Sequence, residues 1–358
     1  MYSKKDKNNN KCIYYINFLK LGGIMAITIK DVAKKANVSI STVSRVINKS
    51  KPVSDEIRER VEEVIEELNY EPNPIARSLV MKKTNLIGVI VPDISSFFIG
   101  EVLNAIEQIA KVYDYDIILC NSYGERKQEL KYLNLLKNKH VEGLIFISYK
   151  IEKEHKEFIK EADFPVALIN RYLKDLDTIS VSIDHEKACY SMTKYLIETG
   201  SKDIALIRSG FSDDLFINEQ LIGYKKALKD SKIDYDETRV YDGVHKIDEA
   251  YELVEEMIKQ KNMPEAIFAT TDNTAIAAIN CLLDNGYDIP KDIQVVGFYD
   301  SKIANLFRPK LTTIHQPIFD LGSVATRMLI KKINEEMQDD DKNIQIMPYD
   351  LIKRESSR

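Results

Sequence analysis

The sequence predicts two structural classes in one chain: a small all-α helix-turn-helix headpiece near the N-terminus and an α/β core of two parallel-sheet subdomains. The headpiece is indicated by short segments between residues 28 and 68 in which apolar residues recur at helical spacing. The core is indicated by short apolar runs that alternate with helical periods from residue 86 onward. These later segments span about 275 residues, more than one domain usually holds, so two subdomains are expected.

Residues 29–36 predict the first helix of the headpiece. Its apolar stripe is formed by residues at helical spacing: Ile29, Val32, Ala33 and Ala36. Asn37 tolerates a left-handed backbone and therefore predicts the end of this helix. A helix with one apolar stripe needs a neighbour to pack against, so a second helix is expected after a tight turn.

The second helix is predicted from Ile40 to Asn48, with Ser39 as its N-cap. Its inward face carries Val43, Val46 and Ile47, and its outward face carries Ile40, Ser41, Ser44 and Arg45. Serine and arginine can read base edges or hold phosphates, and isoleucine can contact a thymine methyl group. This segment therefore predicts a DNA recognition helix, and the alternative is a helical hairpin with a solvated face.

A third helix is predicted after Pro52, with Ser54 as its cap and an acidic first turn at Asp55 and Glu56. Pro72 and Pro74 stop it. We therefore assign the headpiece to residues 26–72, a hinge to residues 73–84 and the core to residues 85–358. The hinge segment is expected to become helical only when it is supported.

The charge of the headpiece is uneven. Residues 28–83 contain eleven Lys and Arg against nine Asp and Glu, within a chain of formal net charge −5. Most of these acids belong to the third helix, whereas six bases surround the first two helices: Lys30, Lys34, Lys35, Arg45, Lys49 and Lys51. We therefore expect a local positive field and salt-dependent DNA binding.

The core is predicted from its alternating pattern. Apolar runs predict strands at Leu86–Val91, Asp116–Cys120, Gly143–Ile147, Pro165–Ile169, Ile204–Ile207, Ala266–Ala269 and Ile293–Phe298. Helical periods between them include Val102–Val112, Glu186–Glu198 and Asp248–Lys261. Because open α/β sheets bind ligands beyond the carboxyl ends of their strands, we expect a ligand site in the loops after these runs.

The sequence offers little support for catalysis or for a resident cofactor. The five histidines are scattered, and no nucleophile, phosphate-loop or metalloprotease motif stands out. The four cysteines, Cys12, Cys120, Cys189 and Cys281, have no metal-binding spacing and indicate no disulfide framework. We therefore predict a cytoplasmic protein that is not an enzyme and needs neither cofactor nor metal.

Residues 1–25 differ in composition from the rest of the chain, because Lys, Asn and Tyr dominate them. Their apolar stretch is too short and too interrupted for a signal peptide or a membrane span, so no membrane partner is expected. Gly22 and Gly23 precede Met25 as the translation of a purine-rich ribosome-binding sequence would. We hypothesise that Met25 is the natural start. The competing interpretation is a disordered basic arm near the DNA.

Several motifs in combination resemble the LacI family of bacterial transcription regulators. They are Asp-Val-Ala at 31–33, Val-Ser-x-x-Thr-Val-Ser-Arg-Val-Ile-Asn at 38–48, Leu-Asn-Tyr-x-Pro-Asn at 68–73 and Ala-Arg-Ser-Leu at 76–79. The resemblance continues to the C-terminus. It implies a periplasmic-binding-protein-like core and a homodimer that binds pseudo-palindromic operator DNA, mainly as a repressor.

The resemblance also implies which residues contact DNA: Thr28, Ser39, Ile40, Ser41, Thr42, Ser44, Arg45, Asn48, Ala76 and Leu79. Ile40, Ser41 and Arg45 would read the major groove, while Thr42 and Asn48 would help to hold phosphates. Leu79 matches the leucine of the family that wedges into the minor groove, where such a side chain unstacks a base step and bends the DNA.

For the effector site, the resemblance implies contacts from Phe98, Arg171, Thr271, Asp272, Tyr299 and Gln316. Arg171 would bind a hydroxyl or carboxylate, and Phe98 would stack on a ring. Sugar-responsive members usually read Gly-Phe-Asp-Asp where this chain reads Gly-Phe-Tyr-Asp, so Tyr299 replaces a carboxylate. This departure argues against a simple sugar inducer. A small sugar, a nucleoside and a phosphorylated metabolite stay open as ligands.

Other core segments resemble the catabolite-control branch of the family, which takes serine-phosphorylated HPr as a protein corepressor. The resemblance implies HPr contacts from Tyr113, Asp320, Arg327 and Lys331. Arg327 and Lys331 lie one helical turn apart and could jointly hold a phosphoserine. Two positions depart from the branch: Phe319 replaces a tyrosine, and Asp350 stands where an arginine is expected.

These signals leave three functions open, of which the third is disfavoured. The first is a repressor of carbohydrate or carbon-catabolite genes with phosphorylated HPr as corepressor. The second is a repressor of a local operon that responds to a small sugar or nucleoside. The third, a solute-binding protein with the same core, is disfavoured because it would need an export signal and no headpiece.

Overall fold

The computed structural model describes residues 27–48, 51–70, 83–173, 175–209, 215–244, 246–338 and 342–358. The chain forms two compact units, of which the first ends at Lys83 and the second begins at Thr84. The predicted N-terminal extension and most of the predicted hinge lie outside the described residues.

The first unit contains the predicted helices. They are α1 (Ile29–Ala36), α2 (Ile40–Asn48) and α3 (Asp55–Leu68). Their shared core consists of Val32, Ala33, Ala36, Val43, Val46, Val61 and Val64, all buried. Asn37 has a φ of 55°, so the left-handed turn predicted between α1 and α2 is confirmed. The predicted all-α headpiece is therefore a packed three-helix unit.

The second unit contains two six-stranded sheets. The first sheet consists of β1 (Leu86–Val91), β2 (Asp116–Asn121), β3 (Gly143–Phe146), β4 (Val166–Ile169), β5 (Ile179–Ile183) and β11 (Ile344–Met347). Their order is β11-β5-β4-β3-β1-β2, and every pairing is parallel. The helices of this subdomain are α4 (Phe97–Val112), α5 (Arg126–Asn138), α6 (Lys153–Glu161) and α12 (Ile318–Ile333).

The second sheet consists of β6 (Ile204–Ile207), β7 (Val240–Tyr241), β8 (Ala266–Ala269), β9 (Gln294–Tyr299), β10 (Thr312–His315) and β12 (Asp350–Ile352). Their order is β12-β10-β9-β8-β6-β7, and only β12 runs antiparallel to its neighbour. Its helices are α7 (His185–Glu198), α8 (Leu215–Asp230), α9 (Ile247–Lys259), α10 (Asp272–Asp284) and α11 (Lys302–Leu306). The predicted core of two parallel-sheet subdomains is thus confirmed.

The predicted strands are all present: three have both predicted ends, and no end of the other four is shifted by more than one residue. The strands that the apolar-run criterion missed are β5, β7, β10, β11 and β12. β5 reads Ile-Ser-Val-Ser-Ile yet is buried along its whole length, because β4 and β11 flank it and α12 packs against it. β7 and β12 are too short to give a pattern. Polar strands of a buried parallel sheet therefore escape a search for apolar runs.

The chain crosses between the subdomains after β5, after β10 and after β11. These crossings bring the carboxyl ends of both sheets to the same cleft. Among the described helices, none is both long enough and apolar enough to cross a membrane.

Candidate functional site

The first helix of the headpiece begins with a reciprocal cap. The Thr28 backbone N–H donates to Asp31 Oδ2 over 2.9 Å, and the Thr28 hydroxyl donates to the same oxygen over 2.7 Å. These hydrogen bonds lower the pKa of the Asp31 carboxyl. Thr28, a predicted DNA contact, is exposed at this helix end, and its hydroxyl proton is already engaged.

The second helix begins with a cluster of hydroxyl groups. Ser39 is the N-cap predicted from the sequence, because its Oγ accepts a hydrogen bond from the Thr42 N–H over 3.1 Å. Ser39 Oγ also lies 2.7 Å from Ser41 Oγ and 2.8 Å from Thr42 Oγ1. Hydroxyl groups at a helix N-terminus can donate to phosphate oxygens, where the helix dipole also favours negative charge.

One face of α2 is open to solvent. Ile40 is 45% exposed, and Ser41 and Arg45 are exposed beside it. Ser44 was expected on the same face, but it is half-buried. The side chain of Asn48, together with Ala76 and Leu79, lies outside the described residues. The described part of this face can therefore present one apolar group, one hydroxyl and one guanidinium to a groove.

The third helix carries bases that are matched by its own acids. Arg58 Nη1 lies 3.2 Å from Asp55 Oδ1, and Arg60 Nη2 lies 2.7 Å from Glu56 Oε1. These exposed pairs contribute little to stability, but they neutralise the bases of α3. Among the described bases of the first two helices, Lys35 also pairs with an acid, Glu67 of α3, whereas Lys30, Lys34 and Arg45 form no such ion pair.

A cavity of about 370 Å³ lies between the two core subdomains. Five of the six predicted effector contacts line it: Phe98, Arg171, Thr271, Asp272 and Tyr299. The sixth, Gln316, does not line the cavity; it is 1% exposed and accepts a hydrogen bond from Asn170 Nδ2 over 3.3 Å. Gln316 thus stands behind Asn170, which does line the cavity.

Arg171 is oriented by backbone carbonyls. Its Nε donates to the Ser148 carbonyl over 2.7 Å, and its guanidinium also donates to the Tyr149 carbonyl. Ser148 and Tyr149 come after β3 and line the cavity themselves, although the sequence did not single them out. The rule that points to loops after parallel strands would have found them.

A buried acid and imidazole lie next to these carbonyls. Glu129 Oε2 is 3.2 Å from His155 Nε2, and the two side chains are 2% and 0% exposed. Burial raises the pKa of Glu129 to about 7, although the Arg171 charge opposes the rise, and burial lowers the pKa of His155. Glu129 therefore neighbours Ser148 and Arg171, which line the cavity.

Asp272 and Thr271 are engaged by the protein itself. Asp272 Oδ1 accepts from the Thr313 hydroxyl and Oδ2 accepts from the Ser301 N–H, each over 2.6 Å. Burial raises the pKa of Asp272 to about 6, and these hydrogen bonds oppose the rise. Gly297 is required here, because a Cβ atom at that position would lie 2.4 Å from Asp272 Oδ1. Thr271 caps α10 through the Thr274 N–H.

Tyr299 forms an aromatic wall of the cavity, at the position where the sequence comparison had noted the replacement of a carboxylate. Its ring lies 5.1 Å from that of Phe98, centroid to centroid, with the planes inclined by 34°. Its φ of 111° is a backbone conformation that tyrosine rarely adopts. Burial raises the pKa of its phenol, so the hydroxyl stays protonated. At this position the cavity thus offers a phenol donor where a carboxylate would only accept.

The residues predicted to contact HPr lie on two adjacent helices. Asp320, Arg327 and Lys331 are exposed on α12, and Tyr113 is exposed at the end of α4. The helices touch closely at Gly322, where a Cβ atom would lie 2.8 Å from the Val102 carbonyl oxygen. We call this exposed surface, defined by Tyr113, Asp320, Arg327 and Lys331, the α4–α12 face.

Comparison with known families matches both units. The model described as bacterial regulatory proteins, lacI family, matches residues 28–73. The model described as periplasmic binding proteins and sugar binding domain of LacI family matches residues 84–355.

Individual relatives match over nearly their whole length. The chain is 40% identical to the HTH-type transcriptional regulator RegA of Clostridium saccharobutylicum, over 93% of this chain and 100% of RegA. It is 37% identical to catabolite control protein A of Priestia megaterium, over 93% of this chain and 100% of that protein.

Solved structures give the same picture. The transcription regulator CcpA of Lactococcus lactis has a TM-score of 0.71 and 29% identity, covering 76% of this chain and 99% of that one. The lac repressor dimer bound to operator and the anti-inducer ONPF has a TM-score of 0.80 and 26% identity, covering 92% of this chain and 98% of that one.

Proposed function

The chain belongs to the LacI family of bacterial transcription regulators, and from this premise we propose that it represses carbohydrate or carbon-catabolite genes with serine-phosphorylated HPr as corepressor. It is a DNA-binding transcription regulator. In our proposal the headpiece (residues 26–72) reads the operator, the hinge (73–84) folds on it, and the core (85–358) receives the signal. Catabolite control protein A is a relative over the length of the chain, which favours this assignment.

The docking that we propose places α2 in the major groove. Ile40, Ser41 and Arg45 are exposed on one face of α2, and the hydroxyl cluster at Ser39 lies at its start. An arginine can bind guanine through two hydrogen bonds, and isoleucine can contact a thymine methyl. Further contacts to the DNA backbone would come from Thr28, Thr42, Ser44, Asn48 and Ala76. Leu79 would enter the minor groove.

The observation that supports HPr as the corepressor is the cationic pair on the α4–α12 face. Arg327 and Lys331 are exposed one turn apart, and neither pairs with a carboxylate of the described chain. A phosphoserine brings up to about two negative charges and three acceptor oxygens, which such a pair can bind. Asp320 and Tyr113 would contact the surrounding surface of HPr.

We propose a homodimer as the working state. The core exposes apolar side chains on contacting helices: Leu283 on α10, and Ile303 and Leu306 on α11. Leu306 is 76% exposed. Leu119 is exposed on β2, an edge strand of the first sheet. A second copy would cover such groups, and two headpieces would match the two half-sites of a pseudo-palindromic operator.

The test is the affinity for a pseudo-palindromic catabolite-response site at fixed salt, with and without HPr. We expect serine-phosphorylated HPr to tighten binding, unphosphorylated HPr to have no effect, and Arg327→Ala to lose the tightening. Operator binding that ignores HPr in both forms would contradict the corepressor and leave the DNA-binding regulator.

A second candidate is control by a small molecule in the core cavity. It is favoured by Asn170, which lines the cavity and whose buried Oδ1 has no hydrogen-bond partner among the described residues. Arg171 and Phe98 would complete such a site. A ligand there shifts DNA affinity only through its different affinities for the two core arrangements. Isothermal titration with small sugars, nucleosides and sugar phosphates tests it directly.

A further inference from the structure

A single carboxylate holds the point at which the chain enters the core. Glu142 Oε1 accepts the backbone N–H of Thr84 over 2.5 Å and that of Asn85 over 2.7 Å. The Thr84 hydroxyl donates to the His140 carbonyl over 2.7 Å. Thr84 and Asn85 are the first residues of the second unit, at the end of the predicted hinge.

The other oxygen of this carboxylate reaches the end of α4. Glu142 Oε2 accepts a hydrogen bond from the Tyr115 hydroxyl over 3.1 Å. Tyr115 is 8% exposed, and its ring belongs to the apolar core between the first sheet and helices α4 and α12. Burial and the nearby Glu142 raise the pKa of the Tyr115 phenol, which therefore stays a donor.

The turn after α4 is also bonded directly to the hinge root, by which we mean Thr84 and Asn85. Asn85 Nδ2 donates to the Asp114 carbonyl over 3.1 Å, and the Asp116 N–H donates to the Asn85 carbonyl over 2.8 Å. Residues 113–115 are the turn between α4 and β2, and Tyr113 in this turn belongs to the α4–α12 face. A displacement of the end of α4 therefore changes the bonds of Tyr115 and of Asn85 together.

We propose that Glu142 is a positioning residue that couples the end of α4 to the hinge predicted at residues 73–84 of the protein. Its carboxylate joins the hydroxyl of Tyr115 to the backbone of Thr84 and Asn85, and we call this arrangement the clasp. Hydrogen bonds to an ionised acceptor are stronger than neutral ones, so the clasp holds the hinge root in one orientation while it is intact. A partner that shifts α4 would act on the hinge through this clasp.

The action of a partner on the hinge rests on the proposed function, in which HPr is the corepressor. The existence of the clasp does not depend on it. The test uses the full-length chain as wild type, Glu142→Ala, Glu142→Gln and Tyr115→Phe. Glu161→Ala is the matched control, because Glu161 is an exposed acid at the end of α6. Three quantities are measured: hydrogen exchange of the Thr84 and Asn85 amides, operator affinity, and the change in operator affinity on adding phosphorylated HPr.

We expect Glu142→Ala to speed hydrogen exchange at both amides. It should also weaken operator binding about tenfold, because the hinge root is then no longer held in the orientation that favours the DNA-bound hinge. HPr binding to the core should persist, while its effect on operator affinity falls. Tyr115→Phe should leave both amides protected but reduce the HPr effect. Glu142→Gln keeps one acceptor oxygen and should fall between wild type and Glu142→Ala.

Faster amide exchange in Glu142→Ala with unchanged operator affinity and unchanged HPr effect would show a purely structural anchor and overturn the proposal. Unchanged exchange would show that the clasp does not exist in solution, which also overturns it. If HPr has no effect on the wild type, the corepressor assignment fails. The operator affinity of Glu142→Ala then still decides whether the clasp orients the hinge for DNA binding. If Glu142→Ala does not fold, Glu142→Gln and Tyr115→Phe carry the same test.

Discussion

The rings of Phe98 and Tyr299 contact each other in the wall of the core cavity, with centroids 5.1 Å apart. Phe98 lies in the first turn of α4, the helix after β1 of the first sheet, and Tyr299 ends β9 of the second sheet. The contact therefore joins the two subdomains at the wall that a ligand would touch. Aromatic pairs of this kind add a modest stabilisation beyond the area that they bury.

Tyr299→Asp should allow the cavity to bind neutral sugars. The substitution removes the aromatic contact and supplies a carboxylate that can accept hydroxyl hydrogen bonds. We expect binding of at least one monosaccharide to tighten about tenfold or more, measured by isothermal titration over a panel of sugars. Phe98→Leu is the control, since it removes the ring contact without adding a carboxylate. A wild-type protein that binds the same sugar as tightly as the variant would contradict this prediction.

Arg45→Ala should weaken specific operator binding. A bidentate arginine contact to a base contributes about 1–3 kcal/mol of discrimination, which is roughly ten- to hundredfold in affinity. Fluorescence anisotropy at fixed salt, with operator and with unrelated DNA, measures the loss and its specificity. Arg58→Ala is the matched control, because Arg58 pairs with Asp55 on α3. An equal effect of the two substitutions would argue against docking through α2.

Leu79→Ala should reduce both operator affinity and the bend of the operator. Without the wedge, the base step stays stacked and the duplex stays straighter. Energy transfer between dyes at the two operator ends reports the bend, and Val80→Ala serves as a neighbouring control. A full bend with Leu79→Ala would rule out the wedge.

Arg327→Ala should abolish most of the effect of phosphorylated HPr while leaving basal operator affinity intact. Charge-assisted hydrogen bonds to a phosphate contribute about 1.5–3 kcal/mol each, so direct HPr binding should weaken at least tenfold. Lys332→Ala is the control on the same helix, because Lys332 Nζ already pairs with Asp177 Oδ1 over 2.7 Å. Surface plasmon resonance with immobilised phosphorylated HPr compares the two variants.

Asp272 should make the folded core less stable as pH rises from about 4 to above 6. Its folded pKa of about 6 lies above the ordinary value of 3.8, so in this range the folded state binds more protons than the unfolded state. Ionisation of the buried carboxyl then costs roughly 2–3 kcal/mol across the window. Unfolding free energies of wild type and Asp272→Asn at several pH values isolate this contribution. A difference between them that does not vary with pH would refute it.

Local signals explain how much of the headpiece could be predicted. Asn37 and Ser39 act within a few residues of their own positions, so the turn and the cap were predictable without knowledge of packing. The outward set on α2 was predicted with one difference. Ser44 is half-buried, because the surrounding packing decides how far a residue at the edge of a stripe is covered.

The cavity was predictable in part. The resemblance implied Phe98, Arg171 and Tyr299, and all three line the cavity. Arg171 and Tyr299 also lie just beyond a strand or at its end, where ligands of such sheets bind. Gln316 was expected in the cavity, but its side chain is buried behind Asn170. Whether a residue of a crossing segment points into the cavity or behind its wall depends on the relative position of two sheets, which no local pattern contains.

Local signals predicted the class of both units, the helix-turn-helix and the chemistry that α2 can present, because periodicity, caps and turn residues act over short distances. The hydrogen bonds of Thr313 and Ser301 to the Asp272 carboxylate became visible only in the folded core. The same holds for Glu142, which joins Tyr115 to the root of the hinge. The order of strands in a parallel sheet brings together residues far apart in the chain, and this order is set by packing of the whole core.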